Sequence, residues 1–178
     1  MLSILCLKHE RNNLLSLILF DTLLGVMGII SSPFGIKRVI LPQKSKKEVL
    51  HQVKDHYNLV KESDSSALSD LSLRLGLYFA GEVVNFPDKL DLRGKTSFQQ
   101  RVWKQTQTIP YGKTNSYAQI ANQMGYCQAA RAVGQALNKN PLPIIIPCHR
   151  VIRSDGGLGG FSTGLDMKKC LLRLESRE

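Results

Sequence analysis

Short blocks of apolar residues open the chain, "SLILFDT", "VMGIISS" and "IKRVILP", broken near Gly25 and again at Pro33 to Gly35. Blocks of this length, rich in Ile, Leu and Val and bounded by turn residues, predict strands joined by hairpins. The spacing then lengthens. In "KSKKEVLHQVKDHYNL" the apolar positions Val49, Val53 and Tyr57 fall on one helical face, and "SALSDLSLRLGLYFAGE" predicts a second helix ending near Gly81. Strands followed by helices make an α/β part over residues 16–93, with residues 1–15 set apart as an extension. Periodicity is lost in "NFPDKLDLRGKTS", which carries Pro87 and Gly94 and reads as a linker.

From Ser97 the pattern becomes short helices with clear punctuation, a mainly α part over residues 94–178. Ser97 with Gln100 and Ser116 with Gln119 both fit the S-x-x-Q box that starts a helix. After Ser116, residues Tyr117, Ile120, Ala121 and Met124 form one apolar face, and Gly125 sits where a C-terminal cap belongs. A further helix is predicted over Gln128 to Asn138, with Ala130, Val133 and Leu137 inward and "NKNP" as its stop. Two short helices joined at a glycine make a helix-turn-helix. In such a unit the second helix is offered to DNA; Arg131 lies in its first turn between small alanines, so the backbone can approach a groove closely.

Charge strengthens that reading. Residues 94–178 carry 12 Lys/Arg against 4 Asp/Glu, whereas residues 1–93 carry 12 against 10, so the basic half suits a polyanion. The cysteines Cys6, Cys127, Cys148 and Cys170 form no C-x-x-C pair, which argues against a zinc ribbon or a disulfide framework and for a reducing cytoplasm. Cys6 with His9 and His51 with His56 match no standard ligand spacing, so no metal is assigned. "LLSLILFDTLLGVMGII" is shorter than the ~20 residues of a membrane span and contains Asp21, Thr22, Gly25 and Gly28. Neither membrane insertion nor export is expected.

The chemistry concentrates in "PIIIPCHRVI". "IIIP" reads as a buried extended run, after which Pro147 forces a turn that presents Cys148. Only a few per cent of an ordinary thiol is ionised at neutral pH, so the adjacent His149 and Arg150 would favour the nucleophilic thiolate. Neighbours in extended backbone point opposite ways, so His149 would act through a water. Glu175, in "LDMKKCLLRLE", is a candidate to orient the imidazole. The intervening "SDGGLGGFSTG", with five glycines in eleven residues, can bring backbone close to a ligand. No G-K-[ST] follows it, so no nucleotide cofactor is expected.

"PCHRVI", "IPYGKTNSYAQIA", "AARAVGQALNKNP" and "GGFSTGL", in this order, closely resemble the methylated-DNA–protein-cysteine methyltransferases, or O6-alkylguanine-DNA alkyltransferases. The resemblance is strong from Ser97 to Glu175 and looser over "YFAGE" and the strand-rich part. It implies a ribonuclease H-like α/β domain followed by a winged-helix domain with the reactive cysteine, in a cytoplasmic monomer without cofactor. It implies flipping of O6-alkylguanine, and of O4-alkylthymine as a further substrate, out of duplex DNA. The alkyl group then passes irreversibly to Cys148, once per molecule.

By motif position the resemblance makes His149 the base acting through water, Glu175 its orienting acid and Asn140 the hinge between the DNA-facing helix and the active-site turn. Arg131 becomes the finger that fills the vacated stack, offsetting part of an unstacking cost of a few kcal/mol. Tyr117 rotates the neighbouring phosphate and lines the pocket, Ala130 and Gln135 join the DNA contacts, and Pro143, Val151, Phe161 and Ser162 line the guanine pocket. Phe161 departs from the commoner tyrosine, so stabilisation of the guanine oxygen falls to Ser162 and backbone N–H groups of the glycine-rich loop. Two rivals remain: a non-catalytic binder of alkyltransferase-like type, which usually lacks the cysteine, and a Cys-His hydrolase, for which no peptide or ester pocket is evident.

Overall fold

The computed structural model describes residues 15–55, 57, 60–62 and 66–176. The expected extension, apart from Leu15, and Cys6, His9 and His56 lie outside them. The chain forms two compact units that divide between Asp91 and Leu92.

In the first unit, β1 (Leu15–Thr22), β2 (Gly25–Ser32) and β3 (Gly35–Gln43) form the antiparallel hairpins that the apolar blocks predict. A short β4 (Val60–Glu62) pairs parallel to β1, giving the order β3-β2-β1-β4. Two helices cover this sheet, α1 (Lys46–Lys54) on β2 and β3 and α2 (Ser66–Phe79) on β1 and β2. The central strand β2 is buried from Val26 to Ile30 without alternation, as a strand covered on both faces must be. On one face Leu17, Val26, Ile30 and Ile40 pack with Val49 and Val53 of α1. Gly28 gives α1 its close approach: a Cβ there would lie 2.7 Å from a Val49 methyl. Tyr57, predicted to lie in α1, follows that helix's end yet still packs against this core. On α2, Leu68, Leu71, Leu75 and Tyr78 form the buried stripe.

The division between the units falls inside the segment read as a linker, and the first part of that segment, residues 85–91, is held on the first unit. Ile36 donates its backbone N–H to the Lys89 carbonyl and its own carbonyl accepts from Asp91 N–H, both at 2.8 Å. Asp91 is 3% exposed and accepts from Ser32 Oγ at 2.6 Å, while Arg74 of α2 grips Asp88 through two bonds of 2.8 Å. Order here comes from hydrogen bonds to β3 and α2, which leave no hydrophobic period in the sequence.

The second unit contains α3 (Ser97–Thr106), α4 (Tyr117–Gln123), α5 (Ala130–Asn138) and α6 (Leu165–Glu175), with a two-stranded parallel sheet of β5 (Asn115–Ser116) and β6 (Val151–Ile152). The capping box of α3 is Thr96 with Gln99, one residue before the expected Ser97 and Gln100; Gln100 instead donates to the Lys95 carbonyl. Threonine also caps helices, so the motif alone left the register open. Ser116 and Gln119 cap α4 reciprocally as predicted. Helix α5 starts at Ala130, two residues later than predicted, because Tyr126 to Ala129 close a turn of their own through Ala129 N–H to the Tyr126 carbonyl. Trp103 of α3, fully buried, donates its indole N–H to the Ala136 carbonyl and so fixes α5 against α3.

Gly35 holds φ at 139°, and a Cβ there would sit 2.3 Å from the Lys89 carbonyl oxygen. Gly35→Ala is expected to destabilise the first unit by about 1–3 kcal/mol, read as a lower urea midpoint with the protein still folded in water.

Candidate active site

Asn140, just past α5, organises the turn that carries the thiol. Its Oδ1 accepts from Leu142 N–H at 2.9 Å, and its Nδ2 donates to the Ile146 carbonyl at 2.8 Å and to Cys148 Sγ at 3.1 Å. The chain between is a tight turn and not the predicted extended run. Pro143 and Ile146 bridge each other, Ile146 N–H bonds the Leu142 carbonyl, and Ile144 takes φ 74°. Ile144, Ile145 and Ile146 are all buried, so their apolar character reports burial while the Asn140 bonds override strand propensity. Pro147 then closes a three-residue turn, with Cys148 N–H on the Ile146 carbonyl at 2.7 Å.

Cys148 to Arg150 form one 3-10 turn, again not the extended backbone expected. His149 is fully buried and its Nε2 lies 2.7 Å from Glu175 Oε1. Facing a carboxylate, Nε2 carries the proton and the Nδ1 lone pair is the basic one. Burial holds the imidazole below its usual pKa, against the pull of Glu175, so the ring is neutral near pH 7. Glu175 also accepts from Arg150 Nε at 2.8 Å, Arg150 Nη2 at 2.9 Å and Gly112 N–H at 3.2 Å. The fork of Arg150 is therefore spent on Glu175, with its remaining nitrogen on the Ile109 carbonyl at 2.7 Å; its predicted direct effect on the thiol is not what the geometry provides.

The cation acting on Cys148 is Lys168, which the sequence reading missed. Its Nζ, fully buried, donates to the Val151 carbonyl at 2.6 Å and to the Leu158 carbonyl, tying α6 to β6 and the glycine-rich loop. A signal existed: Lys168, Leu171 and Glu175 share the buried face of α6 at helical spacing. Burial pushes the Cys148 thiol above its usual pKa, opposed by the Asn140 hydrogen bond and the Lys168 charge. Burial likewise lowers Lys168 to about 8.

Cys148 opens onto a cleft of about 990 Å³ that also holds Tyr117, Ala130, Arg131, Gln135, Phe161 and Ser162. Seven of the predicted residues thus meet at one surface, drawn from α4, α5, the thiol turn and the glycine-rich loop. Arg131 and Gln135 are exposed there. Gly159 lets Tyr117 in: at φ 69°, a Cβ would lie 2.6 Å from the phenol oxygen. Burial raises the Tyr117 pKa, so its hydroxyl stays a donor. His149, Glu175 and Asn140 stand behind the thiol and not on the wall. Pro143 and Val151 do not line this cleft; Val151 is fully buried in β6 and supplies its carbonyl to Lys168.

The 6-O-methylguanine DNA methyltransferase DNA-binding domain profile matches residues 97–177. A methylated-DNA–protein-cysteine methyltransferase of Mycolicibacterium paratuberculosis is 57% identical over 104 residues, 58% of this chain and 62% of that protein. One of Methanosarcina acetivorans is 40% identical over 157 residues, 88% of this chain and 96% of that protein. Among solved structures, Mycobacterium tuberculosis OGT in complex with DNA is similar at a TM-score of 0.74 and 41% identity, covering 92% of each chain.

With Lys168 lowered from 10.5 to about 8, the unfolded chain holds a proton between those values that the folded chain has released. This group's contribution to stability therefore rises with pH from about 8 to 10.5, and its burial cost is fully present below. Urea titrations across this range should show the stability of the unsubstituted protein rising relative to Lys168→Met; parallel curves would contradict the assignment.

Proposed function

Because the chain belongs to the methylated-DNA–protein-cysteine methyltransferase family, we propose that it repairs alkylated duplex DNA by direct reversal, taking the alkyl group onto Cys148. The single observation that carries this reading is the Cys148 thiol, bonded to Asn140 at 3.1 Å, on a cleft shared with Arg131 and Tyr117. The substrate is O6-alkylguanine, with O4-alkylthymine as a second, in double-stranded DNA.

The helix-turn-helix of α4 and α5 lies on the DNA. Arg131 enters the stack as the nucleotide leaves it, Ala130 and Gln135 lie along the backbone, and Tyr117 turns the phosphate beside the flipped base. The thiol proton passes through a water to His149 Nδ1, whose tautomer Glu175 holds. Sγ then attacks the alkyl carbon, a C–S bond forms, and the C–O bond breaks with its electron pair going to the guanine oxygen. Ser162 and backbone N–H groups of the glycine-rich loop stabilise that oxygen, Phe161 serving as wall. Return of the proton from His149 through the water neutralises the guanine anion and restores guanine, and the thioether is not hydrolysed, so each molecule acts once. This reading includes a ribonuclease H-like domain over residues 16–93 and a winged-helix domain over 94–178, in a cytoplasmic monomer.

Incubation with duplex DNA bearing O6-methylguanine, followed by intact-protein mass, should show one added methyl per chain, on Cys148, and none in Cys148→Ala. Several turnovers per chain would end the single-use reading, and binding without transfer would make the protein a non-catalytic lesion binder. A second comparison separates flipping from chemistry. Arg131→Ala should slow transfer from duplex DNA by about tenfold, as part of the unstacking cost goes unrecovered, and far more than from free O6-benzylguanine. His149→Ala should slow both substrates by on the order of 10².

A further inference from the structure

The cleft holds one more charged feature that the repair chemistry leaves unused, the turn Arg153 to Gly157. Arg153 N–H bonds the Gly157 carbonyl at 2.7 Å, Gly156 N–H bonds the Arg153 carbonyl at 3.1 Å, and Gly156 takes φ 82°. Asp155 Oδ1 accepts from Gly157 N–H at 2.9 Å, and its other oxygen stands 3.0 Å from Arg153 Nη2. Arg153, Ser154 and Asp155 line the same cleft as Arg131 and Cys148. Asp155 is the one acidic residue among the described residues that line it.

The turn needs an acceptor at residue 155, not a charge, since an asparagine oxygen takes the same N–H. The charge is spent on Arg153, in a pair whose side chains are 63% and 60% exposed. Such an exposed pair is weak. A phosphate, engaged by a guanidinium through two parallel N–H bonds, is the stronger partner. Resting on the repair reading above, we infer that Arg153 is a phosphate-binding residue on the loop side of the cleft and that Asp155 competes with DNA for it. The carboxylate stays anchored by Gly157 N–H while the guanidinium changes partner. Every approach to duplex DNA must break this pair, which lowers affinity for undamaged sites and speeds release from them.

Fluorescence anisotropy with undamaged duplex over a salt series tests this with Arg153→Gln, Asp155→Asn and the double variant. Arg153→Gln should weaken binding several-fold and reduce the slope of log affinity on log salt by about one. Asp155→Asn, which keeps the turn's acceptor, should tighten binding about two- to fivefold, and this gain should vanish when Arg153 is already Gln. Unchanged affinity and slope in Arg153→Gln overturns the inference, as does weaker binding in Asp155→Asn or a gain that persists in the double variant. Failure of the unsubstituted protein to bind duplex at any salt would instead bring down the repair reading itself.

Discussion

The carboxylate of Glu175 is the constraint on which the reactive centre depends. It is 3% exposed and accepts four hydrogen bonds, from His149, twice from Arg150 and from Gly112. A buried charge is tolerable only when paired and bonded in this way. Those bonds join the end of α6 to the loop before β5 and to the turn beside the thiol, so they fix geometry as well as charge. Arg150 neutralises the carboxylate, which lets His149 remain neutral and basic instead of being drawn into a buried imidazolium pair. Gly112 completes the fit: a Cβ there would lie 2.8 Å from the Glu175 carbonyl oxygen.

Around that anchor the thiol is balanced. Burial opposes ionisation, and Asn140 and Lys168 favour it. Burial outweighs both, so the resting thiol is held protonated, the form least open to oxidation and alkylation. The same residues that tune the thiol also join α5, the thiol turn, α6 and the glycine-rich loop. Asn140 links the end of α5 to Sγ, and Lys168 links α6 to the loop that closes over Tyr117. Helix α5 is thereby in direct covalent and hydrogen-bonded continuity with the thiol.

Much of this was legible in the sequence. The three hairpin strands, the helix pair over the sheet, the Ser116 cap and the Cys148, His149 and Glu175 set were readable because each rests on local periodicity, a cap or a motif. What was misread depends on long-range polar bonds. "IIIP" became a turn because Asn140 and Leu142 supply its hydrogen bonds, and residues 85–91 became ordered because Ile36 and Arg74 do. Arg150 was credited with activating the thiol on adjacency alone, whereas a 3-10 turn sends it to Glu175 and leaves that task to Lys168, twenty residues on. Pro143 and Val151, assigned to the guanine pocket by motif, are not on the wall of the open cleft, Val151 lying buried behind it in β6.

The central claim is that Glu175 fixes His149 as a neutral base with its proton on Nε2. Nitrogen NMR of the His149 ring, with Cys148 reduced, measures this directly across pH 5 to 8. The account predicts one protonated nitrogen, Nε2, and one lone-pair nitrogen, Nδ1, throughout the neutral range, with the pattern disturbed in Glu175→Gln. An imidazolium at pH 7, or a proton on Nδ1 in the unsubstituted protein, would contradict it.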